Sequence, residues 1–192
     1  MKTALSCVTL CSLILLSGCL GGVSATPQFF TLQNESNISV VSNQKISVGV
    51  LPVKVPDYLD KPQIVLNNGT NQMTISETNR WIEPLSSVAQ QTLINDIQKM
   101  LPNAFVKTKG YDDDNYNRIV RVEIDKMSGT LGKEARLSVW WSVLNHNGKE
   151  IYRTRFADTE QIHNSYESYT QGQSILWAKL SNQIAQHLTS YK

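Results

Sequence analysis

Cysteine is the most reactive side chain in this sequence, and its three copies, Cys7, Cys11 and Cys19, all lie within the first nineteen residues. Because the rest of the chain has no cysteine, a disulfide-stapled fold and a cysteine-ligated zinc or iron–sulfur site are excluded. A domain of about 150 residues buries roughly 70% of its unfolded surface and needs no such staples. The cysteines must therefore serve another purpose.

The residues before Cys19 predict a lipoprotein signal. Lys2 is followed by a short apolar run, Val8 to Leu16, which suits a secretory signal but is too short to span a bilayer. The tetrapeptide Leu16-Ser17-Gly18-Cys19 comes next and resembles a bacterial lipobox. That resemblance implies that residues 1–18 are removed and that Cys19 is acylated, for example with palmitate, on its sulfur and on its new amine.

Two or three acyl chains would hold the protein at a membrane, because each buried methylene adds about 0.8 kcal/mol of affinity. Leu20, and not aspartate, follows the modified cysteine. By resemblance to bacterial sorting rules, this residue favours the periplasmic face of the outer membrane.

The other candidates for chemistry are weak. His146, His163 and His187 are far apart and lack the spacing of paired metal ligands. The run Asp112–Asn115 lacks the glycine and glutamate of a calcium loop. Since the chain also lacks the sequence signatures of hydrolases, phosphate loops and dinucleotide sites, we predict no catalysis, no cofactor and no metal. The net charge of +2 gives no electrostatic case for nucleic acid.

The elements that must position any site are predicted from apolar periodicity. Residues Ser76 and Glu77 are expected to open a helical region, with Pro84 in a first helical turn and an end before Pro102. The remaining predicted elements are a short strand near Phe29–Leu32, strands Ile46–Val55, Gln63–Leu66, Gln72–Ile75 and Ala104–Thr108, three long strands centred on Val122, Val139 and Thr154, and a helix from Ser165 to Ser190.

Two turns complete this prediction. Ser128–Gly132 joins the first two long strands, and Asn147-Gly148, which suits a type I′ turn, joins the last two. The element order predicts an α+β fold, a two-layer sandwich in which two helices pack on one face of a mainly antiparallel sheet. The predicted organisation is a signal peptide (1–18), a lipidated tether (19–43) and one domain (44–192).

Two stretches stand out from ordinary globular sequence. Pro56 to Val65 reads Pro-Asp-Tyr-Leu-Asp-Lys-Pro-Gln-Ile-Val, and Arg80 to Leu85 reads Arg-Trp-Ile-Glu-Pro-Leu. In order and spacing they resemble the ABC-type transport auxiliary lipoprotein family, which includes paraquat-inducible lipoproteins. The family's glycine before the proline is absent at Leu51-Pro52.

The resemblance implies a non-catalytic component of an MCE-type intermembrane lipid transport system. Its partners would be an MCE-domain protein, an inner-membrane permease, the outer membrane and further copies of itself. It would dock the periplasmic tube to the outer membrane and support envelope integrity. The sequence leaves open a different role, as an adaptor of another envelope assembly machine.

The motif residues have two interpretations, contact with a partner or support of the fold. They are Pro56, Asp57, Tyr58, Leu59, Asp60, Lys61, Pro62, Gln63, Arg80, Trp81, Glu83 and Pro84. In the second interpretation Trp81 caps the core and Arg80 and Glu83 pair with Asp57 or Asp60. Trp140, on the otherwise polar face of its strand, is a candidate oligomer surface unless helix residues cover it.

Overall fold

The computed structural model describes residues 25–33, 40–67, 71–110 and 116–190. The predictions for the signal peptide, for Cys19 and for the acidic run Asp112–Asn115 fall on other residues and lie outside this description.

The described residues form eight strands and two helices, in the order strands, helix, strands, helix. The strands are β1 (Gln28–Phe30), β2 (Ser47–Val50), β3 (Gln63–Asn67), β4 (Met73–Trp81), β5 (Phe105–Thr108), β6 (Arg118–Thr130), β7 (Glu134–Asn145) and β8 (Glu150–Gln161). The helices are α1 (Leu85–Met100) and α2 (Tyr166–Ser190).

The strands divide into two sheets rather than the single sheet expected. The larger sheet has the order β5-β2-β6-β7-β8, and the smaller has the order β1-β4-β3. The long ladders β6–β7 and β7–β8 are antiparallel, whereas β2 runs parallel to both β5 and β6. The α+β class is thus confirmed, and the sheet is mainly antiparallel by the length of its ladders.

Both helices cover one face of the larger sheet. Val122, Val139 and Trp141 point to this face and are buried, while their neighbours Trp140 and Arg153 lie on the opposite, open face. The interior is filled by large side chains that have almost no exposed surface. These include Trp141, Trp177, Tyr169, Leu85, Leu93, Ile97, Leu176 and Leu180.

The helical region expected from Ser76 and Glu77 is wrong, because β4 continues to Trp81 and α1 begins only at Leu85. Ser76 does what a helix cap does, accepting a hydrogen bond from the backbone N–H three residues on, at Asn79 (2.9 Å). Here that bond lies in a strand, where pairing with β3 and β1 on both sides outweighs the local signal. Pro84 is the residue that precedes the helix.

Part of the predicted tether belongs to the folded body. Gln28–Phe30 form β1 as a parallel partner of β4, and Leu32 is buried in the core. The backbone N–H of Val41 donates to the carbonyl of Met100 (2.8 Å). The packed body therefore reaches upstream of residue 44.

The hairpin at Asn147-Gly148 is confirmed, but its turn differs from the predicted one. Gly148 donates to the Asn145 carbonyl (2.9 Å), so His146 and Asn147 occupy the centre of the turn. Gly148 then follows at φ 76°, a left-handed conformation that favours glycine.

Candidate functional site

The Pro56–Pro62 loop is a compact turn held to the body by one apolar side chain. The backbone N–H groups of Leu59 and Asp60 both donate to the Pro56 carbonyl (2.8 and 3.1 Å). Leu59 is buried in the core, whereas Asp57 and Tyr58 remain exposed. The loop thus presents a fixed backbone, so that a partner binding it would order little further structure.

The second motif joins the first one directly. The Trp81 N–H donates to the Pro62 carbonyl (2.7 Å), and Gln63 pairs with Arg80 across β3 and β4. Trp81 itself is buried, as the structural interpretation expected. The two sequence motifs therefore form one contiguous unit at the start of α1.

Asp60 links this unit to the helix. Its Oδ1 accepts a hydrogen bond from the backbone N–H of Ser86 (3.0 Å), in the first turn of α1. Because Pro84 provides no side-chain cap, a carboxylate from 26 positions upstream satisfies a free N–H of the helix end. Asp60 therefore supports the fold.

The predicted pairing of Arg80 and Glu83 with Asp57 or Asp60 is wrong. No ion pair among the described residues joins these side chains. Arg80 Nε donates instead to the Glu77 carbonyl (3.4 Å), and Glu83 is exposed beside Pro84. Asp60 is directed to the helix N-terminus, which is itself electropositive.

Trp140 lies near the middle of the open face of the larger sheet, and neither α1 nor α2 covers it. Its side chain is 39% exposed, which is high for a tryptophan in an interior strand. The guanidinium carbons of Arg153 and Arg155 lie 5.2 and 6.0 Å from the ring centroid. Such cation–π contacts hold the ring in place while leaving part of it free to contact another surface.

A bulge and a polar network fix the surroundings of this ring. Between Ile124 and Lys126 the register of β6 shifts, and Asp125 is the extra residue. Asp125 Oδ2 accepts from Arg155 Nη2 (2.7 Å) and from the hydroxyl of Ser138 (3.1 Å), and Arg155 Nε donates to that hydroxyl (2.9 Å). One network thus spans β6, β7 and β8 next to Trp140.

The loop and the open face meet in a shallow groove. Its lining includes Pro56 and Asp57 from the loop and Asp125 and Trp140 from the sheet. The pKa of Tyr58 is raised, mainly by the partial burial of its side chain and further by the negative charge of Asp125. Lys54 Nζ and Glu123 Oε1 form an exposed ion pair at 3.8 Å on the same groove.

This arrangement is typical of a protein-binding surface. It combines an exposed tryptophan, two arginines and a rigid loop, and tryptophan and arginine are enriched at the centres of interfaces. Within the residues described, no cluster of three or more histidine, cysteine or acidic side chains has the geometry of a metal site. Neither described helix combines the length and hydropathy that a membrane span needs.

The sequence indicates both motifs and Trp140 as candidates but does not show that they meet. The signal for the connection was weak, because Asp125 and Arg155 are thirty positions apart and looked like ordinary alternating charges on a solvated strand. The β-bulge that places Asp125 beside the ring has no marker in the sequence.

Solved structures share this architecture. One, described as an uncharacterized protein, is 22% identical, covers 86% of this chain and 100% of its own, and superposes with a TM-score of 0.71. Protein XCC0632 from Xanthomonas campestris is 7% identical, covers 85% of this chain and 93% of its own, with a TM-score of 0.65. At these identities the likeness concerns the fold. A search of curated proteins finds no significant match.

The fold is a small α+β domain with two helices on one face of the larger sheet and the exposed Trp140 on the other. The model of the family described as ABC-type transport auxiliary lipoprotein component matches residues 30–185, and the chain belongs to this family. The resemblance carried by the two motifs is thereby confirmed.

Proposed function

We propose that this protein is a non-catalytic outer-membrane component of an MCE-type intermembrane lipid transport system. Family membership across residues 30–185 is the observation that carries the proposal. The protein would be anchored by acyl chains on Cys19 and would dock the periplasmic tube at the outer membrane.

The groove between the Pro56–Pro62 loop and Trp140 is the surface proposed to contact the MCE-domain protein. Its loop wall is preorganised by the Pro56 carbonyl and by buried Leu59, so little entropy is lost on binding. Trp141 and Trp177 are buried between the helices and the sheet, whereas Trp140 is exposed in the groove, so the proposed contact is assigned to the groove.

The anchor is tested by the change Cys19→Ala. This variant is expected to leave the membrane fraction and to appear in the soluble periplasmic fraction, because it has no thiol to acylate. Separation of inner and outer membranes then assigns the wild-type protein to one of them. Unchanged membrane fractionation of the variant would contradict the proposed anchor.

The partner is tested by co-purification of the acylated protein with the MCE-domain protein of the same organism. Trp140→Ala is expected to reduce recovery at least tenfold, since interface tryptophans often contribute more than about 1.4 kcal/mol. Phe105→Ala is the matched control, because Phe105 is also exposed and carries a cation, Lys107 Nζ at 4.8 Å, but lies on the edge strand β5. Recovery only with an outer-membrane protein or lipopolysaccharide assembly machine would refute the MCE assignment.

A further inference from the structure

Four of the nine exposed large hydrophobic side chains among the described residues come from one small region, β1, β4 and the residue after β4. They form an apolar patch and are Phe29 (58% exposed), Met73 (43%), Ile75 (53%) and Ile82 (59%). The strand pairings place them on a common face of the smaller sheet.

The pairing pattern gives this result directly. Met73 pairs with Asn67 and Ile75 with Val65, two positions of β3 that share a face, although Val65 is itself buried. The register shifts between Val65 and Gln63, and beyond that shift Gln63, on the same face of β3, pairs with Arg80. Phe29 also pairs with Arg80, and Ile82 lies two positions beyond it. The alternate residues, Ile64, Leu66 and Trp81, are buried in the core.

The apolar patch therefore lies on the outer face of the smaller sheet along β1 and β4, whereas Val65 of β3 on that face is buried. Strand β4 carries two charged side chains beside the patch, Arg80, which pairs with Phe29 and Gln63, and the exposed Glu77. An aromatic ring, aliphatic side chains and an arginine together suit the lipid headgroup boundary, where apolar groups insert by about 5–10 Å and arginine meets phosphate.

The position of the proposed lipid anchor indicates that a membrane covers the apolar patch. Gln28, the first residue of β1, lies nine positions after Cys19, and these residues reach at most about 30 Å when fully extended. The chain thus leads from the proposed acyl chains directly onto the strand that carries Phe29. A short tether keeps the patch at a high effective concentration near the bilayer, so that even a weak surface affinity is sufficient.

We infer that the apolar patch docks on the surface of the membrane that holds the acyl chains, with Phe29, Ile75 and Ile82 in the headgroup region. This inference rests on the proposed acylation of Cys19. It fixes the orientation of the domain, because the smaller sheet then faces the bilayer.

The test places a dansyl-bearing residue at position 82 of the full-length acylated protein, and at position 151 as the control. Ile82 and Ile151 are both exposed isoleucines, but Ile151 lies on β8, the edge strand of the larger sheet. The protein is reconstituted in vesicles of phosphatidylethanolamine and phosphatidylglycerol that contain brominated acyl chains. The emission maximum of the dansyl group at position 82 is expected to shift to shorter wavelength, and the brominated chains should quench most of its emission. The dansyl group at position 151 should keep both its emission wavelength and its intensity.

Equal emission at both positions would overturn the inference. Two other results would also overturn it. If position 82 is shielded without vesicles, and more so at higher protein concentration, a second copy of the protein covers the patch. If the shielding requires the MCE-domain protein, that protein covers it. Vesicle flotation reports the anchor separately. If the protein does not float, the mature chain is coupled through Cys19 to a maleimide phospholipid and both positions are read again, so the patch is tested whether or not the acylation holds.

Discussion

Removing the carboxylate of Asp60 should destabilise the protein by a predictable amount. In the wild type the Ser86 N–H donates to Asp60 Oδ1 at 3.0 Å. The Asp60→Ala variant lacks this acceptor, and Pro84 provides no side-chain cap in its place. Loss of a capping carboxylate costs about 1 kcal/mol, and loss of its charge at a helix N-terminus adds about 0.3 kcal/mol or more at an exposed site. The expected loss is about 1–1.5 kcal/mol, or a fall of about 2–6 °C in Tm for a domain of this size.

The assay is thermal and urea unfolding followed by circular dichroism. Asp57→Ala is the matched control, since Asp57 is an exposed acid in the same loop and lines the groove. It should leave Tm within about 1 °C of wild type. Asp60→Asn keeps a neutral acceptor and should recover about half of the loss. Equal stability of Asp60→Ala and Asp57→Ala would refute the capping assignment and return both acids to the partner-binding interpretation.

Three further variants test other parts of the structure. Gly129→Ala should destabilise by about 1–3 kcal/mol in denaturant unfolding, because its new Cβ would lie 2.7 Å from the buried Tyr169 ring; a neutral result would contradict that packing. Burial lowers the pKa of His187, which stacks on Tyr152 at 3.6 Å, so its neutral form stabilises the fold above about pH 6.5 and this stability is lost as pH falls through the folded-state pKa. Between about pH 7.5 and pH 5.5 the free energy of unfolding should therefore fall less in His187→Gln than in the wild type. An equal fall in both proteins would show that His187 does not cause the pH dependence. Trp140→Ala should leave Tm within about 2 °C of wild type, as expected of a ring kept for contact, and a large fall would show that the ring supports the fold.

Elements with strong local patterns could be predicted from the sequence. The hairpin of β7 and β8 has alternation over two long strands and a glycine where a left-handed conformation is needed. Helix α2 has apolar residues at every fourth position, and this pattern predicts one buried face. The residues are Leu176, Leu180, Ile184 and Leu188, and all four are buried. In these cases the local propensity and the tertiary packing favour the same structure.

The features that could not be predicted depend on distant partners. The parallel pairing of β2 joins segments about sixty and seventy residues apart, and Ser76 gives a capping signal inside a strand. At the site, Leu59 and Trp81 could be recognised as structural candidates from their apolar side chains. The contact of Asp60 with Ser86 and the placement of Asp125 beside Trp140 required the three-dimensional register.

The most direct test of the proposed function is photo-cross-linking in intact cells. A benzophenone-bearing residue replaces Trp140, the groove residue, or Phe105, the exposed aromatic residue on the edge strand. Position 140 is expected to form a covalent adduct that mass spectrometry identifies as the MCE-domain protein, and position 105 should form little or none. An adduct at position 140 with a component of another envelope machine, or equal adducts with the MCE-domain protein at both positions, would contradict docking through this groove.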